Sequence, residues 1–159
     1  LEYGWRGLEL GIKAYYVPTA IIYHAESFNF KWKSFKFYLL ERNRHYCLLT
    51  HYSRKTFYKI LPELILVEIA VIAFYTVKGL LLQKIKANLN IIKNRKKIKK
   101  NYNKIQQKKK FTDKEIIQHF EDYIMIPIEL SKTARNSLFL NFINKLSKRA
   151  RKKIISENL

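Results

Sequence analysis

The chain has 159 residues, 48% hydrophobic and 14% aromatic, with 32 lysines and arginines against 12 acids and a formal net charge of +20. So much apolar material excludes a disordered polyelectrolyte, and the length suits one ordinary domain with its own core. The charge selects polyanionic partners, namely an anionic lipid leaflet, a phosphorylated substrate or a nucleic acid, and the single cysteine, Cys47, excludes an intramolecular disulfide.

Composition divides the chain into three regions: 1–58, mixed and aromatic; 59–90, apolar; and 91–159, lysine-rich with apolar segments returning after Phe111. Four glycines and three prolines punctuate it, and three of the glycines precede Lys13. The fold class predicted from this punctuation is mainly α with a short β-containing N-terminal piece. In "EYGWRGLELG", Trp5, Leu8 and Ile12 recur at helical spacing, and Gly11 stands where a helix ends in the left-handed conformation. "AYYVPTAIIYH" follows. Its β-branched and aromatic residues, Tyr15 to Val17 and Ala20 to Tyr23, bracket Pro18-Thr19 and predict two short strands at a sheet edge.

A helix is predicted from about Ser34 to Tyr52. Its apolar stripe of Phe35, Tyr38, Leu39, Tyr46 and Leu49 places Arg42 inside and Arg44 outside. An arginine on a buried face needs an anion, either a phosphate or a carboxylate such as Glu41. His45 and His51 are expected to face solvent or lipid headgroups.

The stretch "LILVEIAVIAFYTVKGLLL", Leu64 to Leu82, is nominally long enough to span a bilayer, but Glu68 and Lys78 interrupt it. A helix lying in the interface is the better reading, running from Lys59 to Lys86 with Lys55, Lys59, Lys84 and Lys86 as headgroup anchors. No acid occurs between Ile69 and Thr112, as attraction to an anionic leaflet requires. In "KNRKKIKKNYNKIQQKKK", Ile98, Tyr102 and Ile105 recur at helical spacing and predict a solvated amphipathic helix. Thr112-Asp113-Lys114-Glu115 has the spacing of a capping box and predicts a helix start.

Several of these pieces, in order, resemble the C-terminal part of family 2 glycosyltransferases, rhamnosyltransferase-like members included. They are Glu2 with Trp5 and Arg6; Gly11 with Tyr16, Val17 and Pro18; His24 after a short strand; and "ERNRHYCLL" with Arg42, Asn43 and Arg44. "FTDKEIIQHF" is similar to a segment near the end of such chains, so the resemblance covers roughly Leu1 to Phe120. Those enzymes are inverting, have a GT-A-type nucleotide-sugar-binding fold and extend bacterial and archaeal glycans on lipid carriers.

The resemblance implies an upstream nucleotide-binding half with an Asp-x-Asp motif and a catalytic base just before Leu1. These residues are therefore expected to be a C-terminal GT-A segment, inactive alone, with amphipathic membrane-associated helices after it. Glu2, Trp5 and Arg6 would serve the acceptor or its loop, the alternatives being Trp5 as core packing beneath that loop and Arg6 as the group that orients the upstream acids. Arg42, Asn43 and Arg44 would bind the donor diphosphate. His24 would complete the site of a divalent metal, Mg or Mn, a histidine capping an edge strand being the alternative. The implied partners are a nucleotide-sugar donor and a lipid-linked or surface-glycan acceptor, met at the cytoplasmic face of the cell membrane by a peripheral rather than single-pass protein. Two rivals without catalysis remain, a membrane-surface scaffold and a nucleic-acid-binding module. The absence of a nucleic-acid-binding motif beside the basic run argues against the latter.

Overall fold

The structure, a computed structural model, describes residues 2–21, 23, 34–121, 123 and 138–156. Eight helices run through these residues: α1 Glu2–Glu9, α2 Ser34–His51, α3 Arg54–Lys59, α4 Leu61–Val77, α5 Leu81–Lys93, α6 Arg95–Lys108, α7 Asp113–Gln118 and α8 Leu138–Ile155. The predicted mainly α class is observed, and α2 matches its sequence expectation to within a residue. No helix among the described residues is long and apolar enough to cross a membrane.

The short strands expected at Tyr15–Val17 and Ala20–Tyr23 are not formed among the described residues. Residues 12–17 have no regular structure, and Pro18 and Thr19 form a turn in which Ala20 N donates to Val17 O at 3.1 Å. A strand requires a ladder partner for its backbone groups, and none is present among the described residues, where Tyr15, Tyr16 and Tyr23 are exposed.

Two helices end in the same way. At α1, Gly11 has φ +76°, its N–H donates to Leu8 O, and Ile12 N donates to Gly7 O. At α4, Gly79 has φ +66°, its N–H donates to Thr76 O, and Leu80 N donates to Tyr75 O. Both are Schellman stops, with the glycine supplying the left-handed residue. Gly11 meets its expectation. Gly79 corrects another, because it divides the single helix predicted from Lys59 to Lys86 into α4 and α5.

The chain forms two units that cut across the three compositional regions. The first comprises Leu1–His51 and Tyr75–Phe111, and the second Tyr52–Phe74 and Thr112–Leu159. In the first, α2 packs on α1, α5 and α6. Trp5, Cys47, Tyr75, Ala87 and Ile98 are buried there, together with Glu9, Glu41, Thr50, His51 and Lys84. Burial pushes the Cys47 thiol above its ordinary range, and the Glu2 charge adds to the effect.

The second unit has the more conventional interior, built from Tyr52, Ile60, Ile116, Ile117, Leu140, Ile143, Leu146 and Ile154. Phe74 stacks on Phe139 with centroids 4.9 Å apart, and Lys153 Nζ lies 2.6 Å from Glu63 Oε1, so α4 and α8 run in opposite directions. Ser53 caps α3 by accepting from Thr56 N at 3.2 Å, while Ser53 N donates to the buried Asp113 at 2.9 Å.

The predicted capping box is present at α7. Thr112 Oγ1 accepts from Glu115 N at 3.2 Å, and Thr112 N donates to Glu115 Oε2 at 2.7 Å. The Thr112 hydroxyl also donates to Glu115 Oε2 at 2.7 Å, and this bond together with that from Thr112 N favours the ionised carboxylate and holds Glu115 below the usual carboxylate range. Thr112→Ala is expected to destabilise the protein by about 1 kcal/mol, read as a lower urea midpoint with an unchanged slope.

Candidate functional site

Two clusters in the first unit gather its buried charged side chains. One lies where α1 meets the C-terminal end of α2. Helical spacing puts Glu2, Trp5, Arg6 and Glu9 on adjoining parts of α1, with Trp5 and Glu9 turned inward. His51, the last residue of α2, has no exposure; its ring stacks on Trp5 with centroids 5.0 Å apart and planes 25° apart. His51 Nδ1 donates to Glu9 Oε2 at 2.8 Å, and its Nε2 faces Glu2 Oε1 at 3.6 Å.

The segment after α6 closes this cluster from a third side. Lys109 Nζ donates to the His51 carbonyl at 2.8 Å and lies 3.6 Å from Glu9 Oε1. Gln106 Nε2 donates to the same carbonyl at 2.9 Å, which satisfies an acceptor that the helix end leaves unpaired. Lys110 N donates to Glu9 O at 2.8 Å. The glycine is favoured by its φ of +76°, and a Cβ there would also lie close to the Phe111 ring, at 3.3 Å.

At the outer edge of the cluster Glu2 and Arg6 form an i,i+4 ion pair, both side chains remaining about half exposed. The result is a carboxylate presented to solvent, oriented by a guanidinium and backed by a buried imidazole. Such a group can accept hydrogen bonds from hydroxyls of a polar ligand.

The second cluster lies in the middle of α2. Glu41 is buried and its Oε2 accepts from Lys84 Nζ of α5 at 2.7 Å and from Arg44 Nη2 at 2.9 Å. Burial pushes the Glu41 carboxyl up. The Arg44 and Lys84 charges and hydrogen bonds outweigh it and hold the group below the usual carboxylate range.

The structure rearranges several expectations. Arg44, not Arg42, is the arginine turned toward the interior, because the inward side of α2 carries Glu41, Cys47, Thr50 and His51 and not the assumed aromatic stripe. Arg42 lies partly exposed over the Tyr38 ring, 5.7 Å from its centroid, and donates from Nε and Nη2 to Asn43 Oδ1 at 3.1 and 2.9 Å. The internal carboxylate considered for Arg42 is Arg44's partner instead. His51 was expected at the surface and is enclosed. Lys84, expected among headgroups, is 1% exposed because Glu41 offers it a buried counter-charge.

Glu2 and Arg6 are paired on α1, and Trp5 lies buried on the same helix. His24 lies outside the described residues, so no geometry for a metal rests on it. Glu9 was missed altogether. Its only local signal is its place on the Trp5 side of α1, immediately before the Gly11 stop.

Compared with known proteins, the chain matches no family model, no curated protein and no solved structure. The clusters therefore stand on their own chemistry.

Glu41→Gln is expected to destabilise the protein by about 3 kcal/mol at neutral pH, since it leaves Lys84 buried without a counter-charge. Lys84→Met is expected to cost less, because Arg44 still serves the carboxylate. The folded-state carboxyl titrates below the unfolded one, so the folded state binds fewer protons in that window. The Glu41 contribution is thus full above the ordinary carboxylate range and is lost as pH falls through the lowered folded-state value. Urea midpoints of the wild type and Glu41→Gln, measured from neutral pH downward, should converge in acid.

Proposed function

We propose that this chain is the C-terminal, acceptor-side part of an inverting sugar transferase of the family 2, GT-A type, acting on a lipid-linked or surface-glycan acceptor. The single observation that carries the reading is the juxtaposition at α1. The acid-Trp-Arg stretch lies on α1, about two helical turns that end at the glycine of the motif in the left-handed conformation, and packs by Trp5 and Glu9 against His51 of the helix that bears Arg-Asn-Arg. Glu2, held by Arg6, is the acceptor-side carboxylate. Arg42 and Asn43 contact the donor diphosphate from the exposed side of α2, while Arg44 is committed to Glu41.

Support also comes from residues 12–21, which leave Tyr15, Tyr16, Val17 and Ile21 exposed. In a GT-A fold such a segment would join a sheet whose other strands belong to the nucleotide-binding half. That half, its Asp-x-Asp and the catalytic base belong to the family pattern upstream of Leu1, and transfer depends on them. The resemblance further assigns His24 to a divalent cation that would neutralise the departing diphosphate.

The test is to express the chain together with the reading frame that precedes Leu1 and to assay transfer of labelled sugar from nucleotide-sugars to lipid-linked acceptors. An Asp-x-Asp upstream and measurable transfer are expected. Glu2→Gln and Arg42→Lys should each lower turnover by roughly tenfold, the loss of one hydrogen bond to a charged group, and His24→Ala should weaken dependence on the divalent cation. An upstream frame without the acidic motif, or unchanged transfer in all three variants, overturns the reading.

A further inference from the structure

The side of α5 that faces away from α2 has a composition unlike any ordinary solvated face. With Lys84 turned to Glu41 and Ala87 buried, the rotation of α5 is fixed. Leu82, Ile85, Leu89 and Ile92 then point outward, 67%, 45%, 59% and 59% exposed. Their spacing of three and four residues puts them on one stripe. Lys86 and Lys93 are exposed on the same arc.

We infer that this face of α5 is a membrane-docking surface, its four aliphatic side chains entering the acyl boundary of an anionic leaflet while Lys86 and Lys93 meet the lipid phosphates. The helix is about 20 Å long, too short to cross hydrocarbon of about 30 Å, so it lies flat. Charge complementarity selects the occupant. No acid occurs from Ala70 to Phe111, and α6 continues at once with exposed Arg95, Lys96 and Lys97. Anionic headgroups therefore meet cations along the whole segment without repulsion. A second copy of the chain would oppose Lys86 and Lys93 with like charges across a two-fold contact. A nucleic acid would satisfy the lysines but leave the four aliphatic side chains against phosphate and water.

The inference rests on α5 alone and not on the sugar-transfer reading. Vesicle binding without transfer activity would sink only the latter, and transfer without vesicle binding only the former.

The experiment is flotation of the full chain with phosphatidylcholine vesicles, with and without phosphatidylglycerol, across a salt series. Binding is expected only with the anionic lipid, falling as salt screens the lysines, with a salt-resistant remainder from apolar burial. Lys86→Gln and Lys93→Gln should each weaken low-salt binding about fivefold. Ile85→Ser combined with Leu89→Ser should abolish the remainder. In case that double variant fails to fold, a second measurement uses an environment-sensitive fluorophore on Leu89→Cys, with one on Gln107→Cys of α6 as control. A blue shift on anionic vesicles at position 89, exceeding that at 107, is expected. Absence of vesicle binding, equal shifts at both positions, or binding to duplex DNA in place of vesicles overturns the inference.

Discussion

The Glu41 carboxylate is the constraint on which the first unit depends. A buried charge without a partner costs several kcal/mol, whereas the same charge between an ammonium and a guanidinium is tolerated. Lys84 must therefore reach α2, and that single reach sets both the register and the rotation of α5 against it. The outward arc of α5 follows from this contact as much as from its own composition. A purely aliphatic interface would permit small rotations; a buried ion pair with two short hydrogen bonds does not.

The Glu9–His51 bond does similar work at the other end of α2. It joins residues far apart in sequence, and Lys109, Lys110 and Gln106 close the third side. The exposed Glu2–Arg6 pair is thus carried on a helix whose inner face is fixed by stacking and hydrogen bonds. A carboxylate that must receive a ligand in one orientation gains from such support, because its own long side chain would otherwise wander. The two units differ accordingly. The interior of the second is chiefly aliphatic, with Glu63 and Asp113 its buried acids, while that of the first contains two glutamates, a histidine and a lysine.

What could be read from the residues was local. Gly11 announces its left-handed stop, Thr112 and Glu115 announce their box, and the limits of α2 follow from the punctuation around it. Gly79 was equally legible, since a lysine and then a glycine close α4, but the apolar run on both sides concealed it. The burial of Glu9, His51 and Lys84 was not legible. Each is a residue type that prefers water, and each is enclosed only because a partner arrives from a distant segment. Arg42 and Arg44 show the same limit, since an assumed aromatic stripe gave the wrong inward face and only the Lys84 contact reveals the right one. The expected strands at residues 15–23 failed for a related reason: β-propensity describes fitness for a pleated surface, and a surface needs neighbours.

The order in which the two units are threaded has a consequence for the growing chain. The first unit has all its segments once Phe111 has been made, but its two halves are separated by 52–74, which belong to the second. The second unit cannot be completed until α8 emerges, because Phe139 and Lys153 supply the partners of Phe74 and Glu63. During vectorial synthesis most of α4, the most apolar of the described helices, therefore waits with its inward side uncovered while some sixty further residues, at roughly 5–20 residues per second, are added. For those few seconds the nascent protein offers a hydrophobic helix to any chaperone or bilayer near the ribosome, an exposure that the finished fold removes from its Glu63 and Phe74 side.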